Sequence, residues 1–462
     1  MRYLLFACLL CGACGEQFLD VKPTMAQRVP EELADYMALM DNTAMMNTKS
    51  SHALGMIGAD EFIVLEARYD AFPTAVNRIW QAKAYVWSDH IFQGGEGTSS
   101  DPLDWNTGYQ RILWSNLVLD GLERLTITES ERNEWENVKG IALFHRAFNY
   151  YNLAQLHCPV YGEEGAGSAL GLPLRLEADL TQATLRSTVG DTYEQIERDL
   201  FEAEKLLTER STAVFRPSKH TAYALLARLY LQKGEYENAV EYAGRCIQIS
   251  SDLLDFNTLD ATADRSFPAY GLANPEVIFM NSVFLQWIFR DSYFSTDPEL
   301  YASYDPADLR RSLYFMENPT TGNILFKGSY EGTANFFTGL ATDEMYLIRA
   351  ESAARLREVD DALADLNLLR KHRYNQSDFA ALDSDDPVEV LDWILEERRK
   401  ELVLRGTRWE DLRRLNKDPD REKTLTRELG DFTYQLLPGS AKYMWPIPVE
   451  AVQNGGYPQN PR

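Results

Sequence analysis

The chain has 462 residues, 45% hydrophobic and 25% charged, a composition that supports a large core and argues against wholesale disorder. Its formal net charge of −24 repels phosphate backbones and anionic headgroups, which argues against a nucleic-acid partner. Beyond the N-terminus no apolar run approaches the roughly 20 residues of a membrane-spanning helix.

The chain opens MRYLLFACLLCGACGEQFLD. Arg2 supplies a positive charge, Tyr3 to Leu10 a short apolar run, and Gly12 and Ala13 small side chains ahead of Cys14. Charge, apolar run and small residues in that order mark an export signal. A peptidase pocket accepts small residues before the cut, so cleavage before Cys14 fits, whereas cleavage before Cys11 would place Leu10 there. Residues 1–13 are therefore expected to be removed. Cys14 is expected to carry a diacylglycerol on its thiol and an acyl chain on its amine, with residues 14–30 as a lipidated tether. At about 0.8 kcal/mol per buried methylene, such chains hold a protein at a membrane. The pattern is similar to a bacterial lipoprotein signal, except that Cys11 stands where Leu is usual; an export signal without lipid is the alternative. A metal cluster on Cys8, Cys11 and Cys14 would need thiolates inside an apolar segment without His or acidic partners.

Apolar spacing of three and four predicts a first helix beginning at 33–40, then helices over 109–125, 138–156 and 192–207. The most informative passage is KHTAYALLARLYLQKGEYENAVEYAGRCIQI, Lys219 to Ile249. It reads as two helices broken at Gly234. Small residues at Ala227, Ala239, Ala243 and Cys246, with Tyr230 beside them, give the spacing of a tetratricopeptide hairpin. A second copy lies in Asp343 to Arg370, where Ala350, Ala353, Ala362, Leu366 and Leu369 repeat the same offsets. Ala147 and Tyr150, taken with 192–207, form a further unit split by the loop 158–190. Residues 251–342 show no sustained helical period and are too long for a mere connection; runs such as PEVIFMNSVF read as short strands. The stretch 58–108 has the same aromatic, irregular character. Cys158 and Cys246 read as small buried groups rather than a disulfide.

The matching pieces then run the length of the chain: ACGEQFLDVKPT, YQRILWSN, FHRAFNYYNLAQLHCPVYG with GLPL, RPSKHTAYALLARLYLQKGEYENA, DEMYLIRAESAA, ILEERRKELVLRGTRWEDLRRLN and MWPIPVEAVQNGGYPQNPR. Together they resemble the SusD/RagB family of nutrient-uptake outer-membrane lipoproteins. The resemblance implies a mostly α fold: about four tetratricopeptide-like units as scaffold, here over 109–250 and 343–416, with an irregular ligand-facing lobe containing short strands. Residues 31–462 would form one such domain. It further implies a surface receptor over a SusC-like TonB-dependent transporter, taking oligosaccharides or, in some members, peptides. A protein-interaction scaffold without a small ligand is the remaining alternative.

No catalytic constellation stands out, so no enzyme is expected: the histidines are scattered and no HExxH, nucleophile elbow or P-loop occurs. In ILEERRKEL the acids Glu396, Glu397 and Glu401 alternate with Arg398, Arg399 and Lys400, so pairs along the helix are expected to keep them ionised, the opposite of a general acid. Trp409 is expected to pack the end of this helix into the body. No cofactor is expected. Asp101, Asp104 and Asn106, or Asp383, Asp385 and Asp386, offer oxygen ligands for calcium but lack the full loop spacing with its closing Glu. Flat aromatics match sugar faces, and Asp, Asn or Arg match their hydroxyl edges. The irregular regions supply this mixture as Asp60, Arg68, Trp80, Trp87 and Asp89, and as Trp287, Tyr293, Tyr301 and Tyr304. The resemblance places ligand contacts in these two regions, not at individual residues.

Overall fold

The computed structural model describes residues 30–72, 76–92, 103–162 and 165–462. The export signal, Cys14, the tether through residue 29 and Asp101 lie outside the described residues. The first helix, Leu33–Met40, begins where the periodicity puts it. Its buried Tyr36 seats on Gly121 of the helix Leu103–Leu122, where a Cβ would stand 2.2 Å from the ring. The long helix Arg132–His157 then packs between Leu103–Leu122 and Val189–Leu206.

The two repeat hairpins form as their spacing predicts. Helices Lys219–Lys233 and Tyr236–Ile249 turn at Gly234, whose φ of 76° is left-handed. Ala227, Ala239, Ala243 and Cys246 are buried between helices, and Tyr230 stacks on Tyr242 at 5.5 Å. In the second hairpin, Thr342–Arg355 and Val359–Lys371, the corresponding turn residue is Arg357, exposed and also left-handed at φ 65°. The same backbone bond closes both turns: Glu235 N–H to Tyr230 O at 3.0 Å, and Glu358 N–H to Ala353 O at 2.8 Å. Cys158 and Cys246 are buried free thiols.

Helix Tyr236–Ile249 packs directly on Thr342–Arg355. The chain between them therefore leaves and re-enters the scaffold at adjacent helices, and its residues build an aromatic lobe. Its strands are short antiparallel pairs: Val277–Phe279 with Leu340–Ala341, Ser282–Val283 with Phe336–Phe337, and Phe315–Glu317 with Ile324–Phe326. Phe256, Phe289, Phe294, Tyr314, Phe315, Phe326, Phe336 and Phe337 fill its interior.

The helix Pro387–Glu401 corrects one expectation. Its own cation Lys400 does reach Glu396 at 3.6 Å and Glu397 at 3.3 Å. The strongest partners of the buried acids come from elsewhere. Arg310 of the lobe lies 2.6 Å from Glu397, 2.7 Å from Glu401 and 2.7 Å from Asp308. Arg373 bridges Glu401 at 2.8 Å to Glu276 of the lobe at 2.9 Å. Tyr330 Oη donates to Glu276 at 2.5 Å, and Arg405 pairs with Asp343. Burial opposes ionisation of Glu401, but Arg373 and Arg310 outweigh it and hold its carboxyl at about 2. Trp409 is buried as expected, stacked on Trp445 at 5.2 Å.

Two outcomes follow. At Gly234 an added Cβ meets only Tyr236 Oη at 3.8 Å, so Gly234→Ala tests backbone conformation alone. It should cost about 1 kcal/mol, while Arg357→Gly should gain about 0.5–1 kcal/mol, both read from urea midpoints. Glu401→Ala leaves Arg310 and Arg373 short of a buried partner and should cost about 3–5 kcal/mol in the same assay.

Candidate functional site

The loop-rich segments, far apart in sequence, are zipped into one surface. Strand Phe62–Val64 pairs antiparallel with Phe294–Thr296, Phe62 opposite Thr296 and Val64 opposite Phe294. Alternation turns Phe62 and Val64 inward and leaves Ile63 half-buried. The pairing extends by Leu65 N–H to Tyr293 O at 3.0 Å. Next to it, helix Val76–Tyr85 docks on the turn Trp287–Phe289: Gln81 Oε1 accepts Ile288 N–H at 2.9 Å, and Gln81 Nε2 donates to Gln286 at 3.3 Å.

This docking brings Arg78, one turn before Gln81, onto Trp287. Its guanidinium carbon lies 3.7 Å from the ring centroid, and that of Arg290 is also 3.7 Å away. The indole is half-buried, and among the described residues its buried N–H has no acceptor. Tyr293 stands 6.1 Å from Trp287 and meets Phe72 edge-on at 5.5 Å. Arg68 is exposed one helical turn before Phe72, and Phe284 is 55% exposed just before the Trp287 turn. The surface thus joins aromatic rings to stacked guanidinium groups.

The sequence-predicted residues divide sharply. Trp287 and Tyr293 come together here, 6.1 Å apart, and Arg68 is exposed on the helix Glu66–Asp70 that leads to Phe72. Trp80 and Trp87 are core; Trp87 is fully buried, and its indole donates to Gly58 O at 3.0 Å. Tyr304 is also fully buried, its hydroxyl spent on Lys400 O at 2.8 Å. None of these three rings is exposed to stack on a sugar. Asp60 is held by Arg408 at 2.6 Å, Lys423 at 2.7 Å and Arg399 at 3.4 Å. Burial works against its charge, yet Arg408 and the other cations hold its carboxyl well below the usual range. It is a fastener rather than a free ligand group. Asp89 is exposed but paired with Lys442 at 2.9 Å. Tyr301 is half-buried under Arg311, 4.7 Å from its ring, and lines a separate cavity of about 450 Å³ with Thr262, Asp264 and Ser312. Sequence reasoning missed Arg78, Arg290 and Phe284. Arg290 sits three residues after Trp287, a visible signal; Arg78 has none, because only helix docking brings it to the indole.

Several acids with other expected uses are engaged. Asp104 caps the helix Ala53–Gly58, accepting Leu54 N–H at 2.7 Å and Ala53 N–H at 3.1 Å. Asp386 caps Pro387–Glu401 through Val388 N–H at 2.9 Å, and Asp383 and Asp385 are exposed. Carboxylate oxygens of Glu276, Asp343 and Glu401 lie within 4.8 Å of one another, but Arg373, Arg310 and Arg405 already supply their countercharge.

The fold is a helical-repeat scaffold carrying an inserted aromatic lobe. Residues 17–231 match a SusD-like family model described as starch-binding associating with outer membrane, and residues 340–462 match that of the SusD family. SusD-like protein P38 of Formosa agariphila is 23% identical over 395 residues, covering 69% of this chain and 73% of that protein. The fold is similar to a SusD superfamily protein from Bacteroides thetaiotaomicron, with TM-score 0.73, 20% identity, and coverage of 94% and 100% of the two chains. It is also similar to a SusD-like carbohydrate binding protein from Bacteroides vulgatus, with TM-score 0.68, 18% identity, and coverage of 92% and 97%. The chain belongs to the SusD/RagB family. Trp287, Arg290 and Tyr293 fall between the two matched stretches, so the structure, not the family models, assembles this surface.

Glu61 seats the strand that carries it. One carboxyl oxygen accepts Leu404 N–H at 2.7 Å, and the other is buried without a partner. Burial pushes this carboxyl up to about 8. A raised carboxyl stabilises the fold fully below its unfolded value, and that contribution is lost as pH rises through the folded value. Glu61→Gln keeps the Leu404 bond and removes the titration. It should match the wild type near pH 4 and exceed it by about 2–4 kcal/mol at pH 8, read from denaturant midpoints across pH.

Proposed function

We propose that this chain is a cell-surface binding protein that captures an oligosaccharide on the Trp287–Tyr293 surface and delivers it to a SusC-like TonB-dependent outer-membrane transporter. The observation that carries the reading is the joining of two loop-rich segments into one face. There the guanidiniums of Arg78 and Arg290 lie against half-buried Trp287, Tyr293 stands 6.1 Å from it, and Phe284, three residues ahead of it in the chain, is exposed. Aromatic rings suit the apolar faces of sugars, and charged donors suit their oxygen edges. Family membership supports it: one matching model is described as starch-binding and outer-membrane associated, and a fold neighbour is named as carbohydrate binding. The chain acts as a receptor rather than an enzyme and uses no cofactor.

Attachment to the outer membrane runs through lipid on Cys14. Among the described residues no helix is long and apolar enough to cross a membrane. A peptide ligand draws no support from the named relatives, and the two- and three-residue strands of the lobe offer little edge for a peptide to extend.

Isothermal calorimetry against a panel of oligosaccharides tests the reading. At least one should bind, and Tyr293→Ala, Phe284→Ala and Trp287→Ala should each weaken it by about 1–2 kcal/mol. Asp89→Ala should bind as wild type does. Binding that survives all three ring truncations would move the site elsewhere, and no binding by any glycan would overturn the function.

A further inference from the structure

We propose that the ligand of this surface is an anionic glycan, gripped through its carboxylate or sulfate groups by Arg78 and Arg290; this rests on the glycan reading above. The guanidinium carbons of Arg78 and Arg290 each stand 3.7 Å from the Trp287 centroid, so two cations are gathered on one indole. At that distance each guanidinium is in contact with the ring. A guanidinium held against a ring by its face keeps its in-plane N–H donors for other partners, and such donors bind a carboxylate or sulfate through paired hydrogen bonds.

Those edges are unspent. Among the described residues no carboxylate lies within 4.0 Å of either guanidinium, although Asp291 directly follows Arg290. The contrast with Arg310, Arg373, Arg408 and Arg414, each in an ion pair, is sharp. Of the acids that the sequence offered as sugar partners, Asp60 is committed to three cations and Asp89 to Lys442. A guanidinium donates and accepts nothing. A face of such donors is best matched by groups that only accept, which are carboxylates and sulfates rather than hydroxyls.

The net charge of −24 does not contradict this. Its field is screened over about 8 Å at physiological ionic strength, so groups in direct contact decide binding. The indole also lowers the cost of holding two like charges close together, since each cation is drawn to the π system.

The test pairs acidic polysaccharide oligomers with neutralised counterparts: polygalacturonate and alginate against their methyl esters, and carrageenan against its desulfated form. Affinities are measured by calorimetry at pH 7. At least one acidic oligomer should bind about tenfold or more tighter than its neutral counterpart. Arg78→Gln and Arg290→Gln should each reduce that ratio, with unchanged melting temperature as the folding control. Preference within the uronate pairs assigns carboxylate recognition, and preference within the carrageenan pair assigns sulfate recognition. Neutral oligomers binding as well as acidic ones would overturn the inference and leave the glycan reading standing. Binding of none, in this panel and in the wider oligosaccharide panel, would overturn both.

Discussion

The lobe stays in place because buried guanidiniums tie it to the helical scaffold. Arg310 leaves the lobe to meet Glu397 and Glu401, and Arg373 leaves the scaffold to meet Glu276. Each carboxylate here is fully desolvated, so the pairs are held together by the cost of separating them rather than by net attraction. Such a joint is specific: an apolar contact tolerates sliding, whereas a fork of N–H donors matched to carboxylate oxygens accepts one register. The same chemistry repeats where Arg408 and Lys423 hold Asp60, and where Arg228 holds Glu344.

That rigidity matters because the lobe is an insertion. It departs after Ile249 and returns at Thr342, and the helices on either side of it pack together as though it were absent. The scaffold is therefore free to be regular while the lobe is irregular, and each solves its own packing problem. Strand pairing between Phe62–Val64 and Phe294–Thr296 then fastens the early loop region to the insertion. The candidate surface sits on this seam, where two chain segments meet and neither alone would complete it.

The legibility of the sequence followed interaction range. Helices announced themselves, because the repeat of three and four is written within a few residues; Leu33–Met40 and the two hairpins appear where that spacing put them. Helix ends were read less closely: 109–125 proved to be Leu103–Leu122, since caps and loops carry no apolar period. The hairpin Leu425–Leu429 with Phe432–Leu436 was not foreseen, its alternation being brief and partly exposed. Among candidate site residues, aromatic type did not reveal burial. Trp87 and Tyr304 fill the core, whereas Trp287 reaches the surface. All are large rings in irregular segments, and only their neighbours in space distinguish them.

By itself the sequence determined the repeat scaffold, the position of its insertion and the family, because these rest on local spacing and on motifs in chain order. Tertiary structure alone decided that Glu401 is a joint, that Asp60 is a fastener, and that Arg78 meets Trp287 across more than two hundred positions in sequence. A charge or a ring acquires its role from what is brought within a few ångströms of it, and folding, not adjacency along the chain, sets that distance.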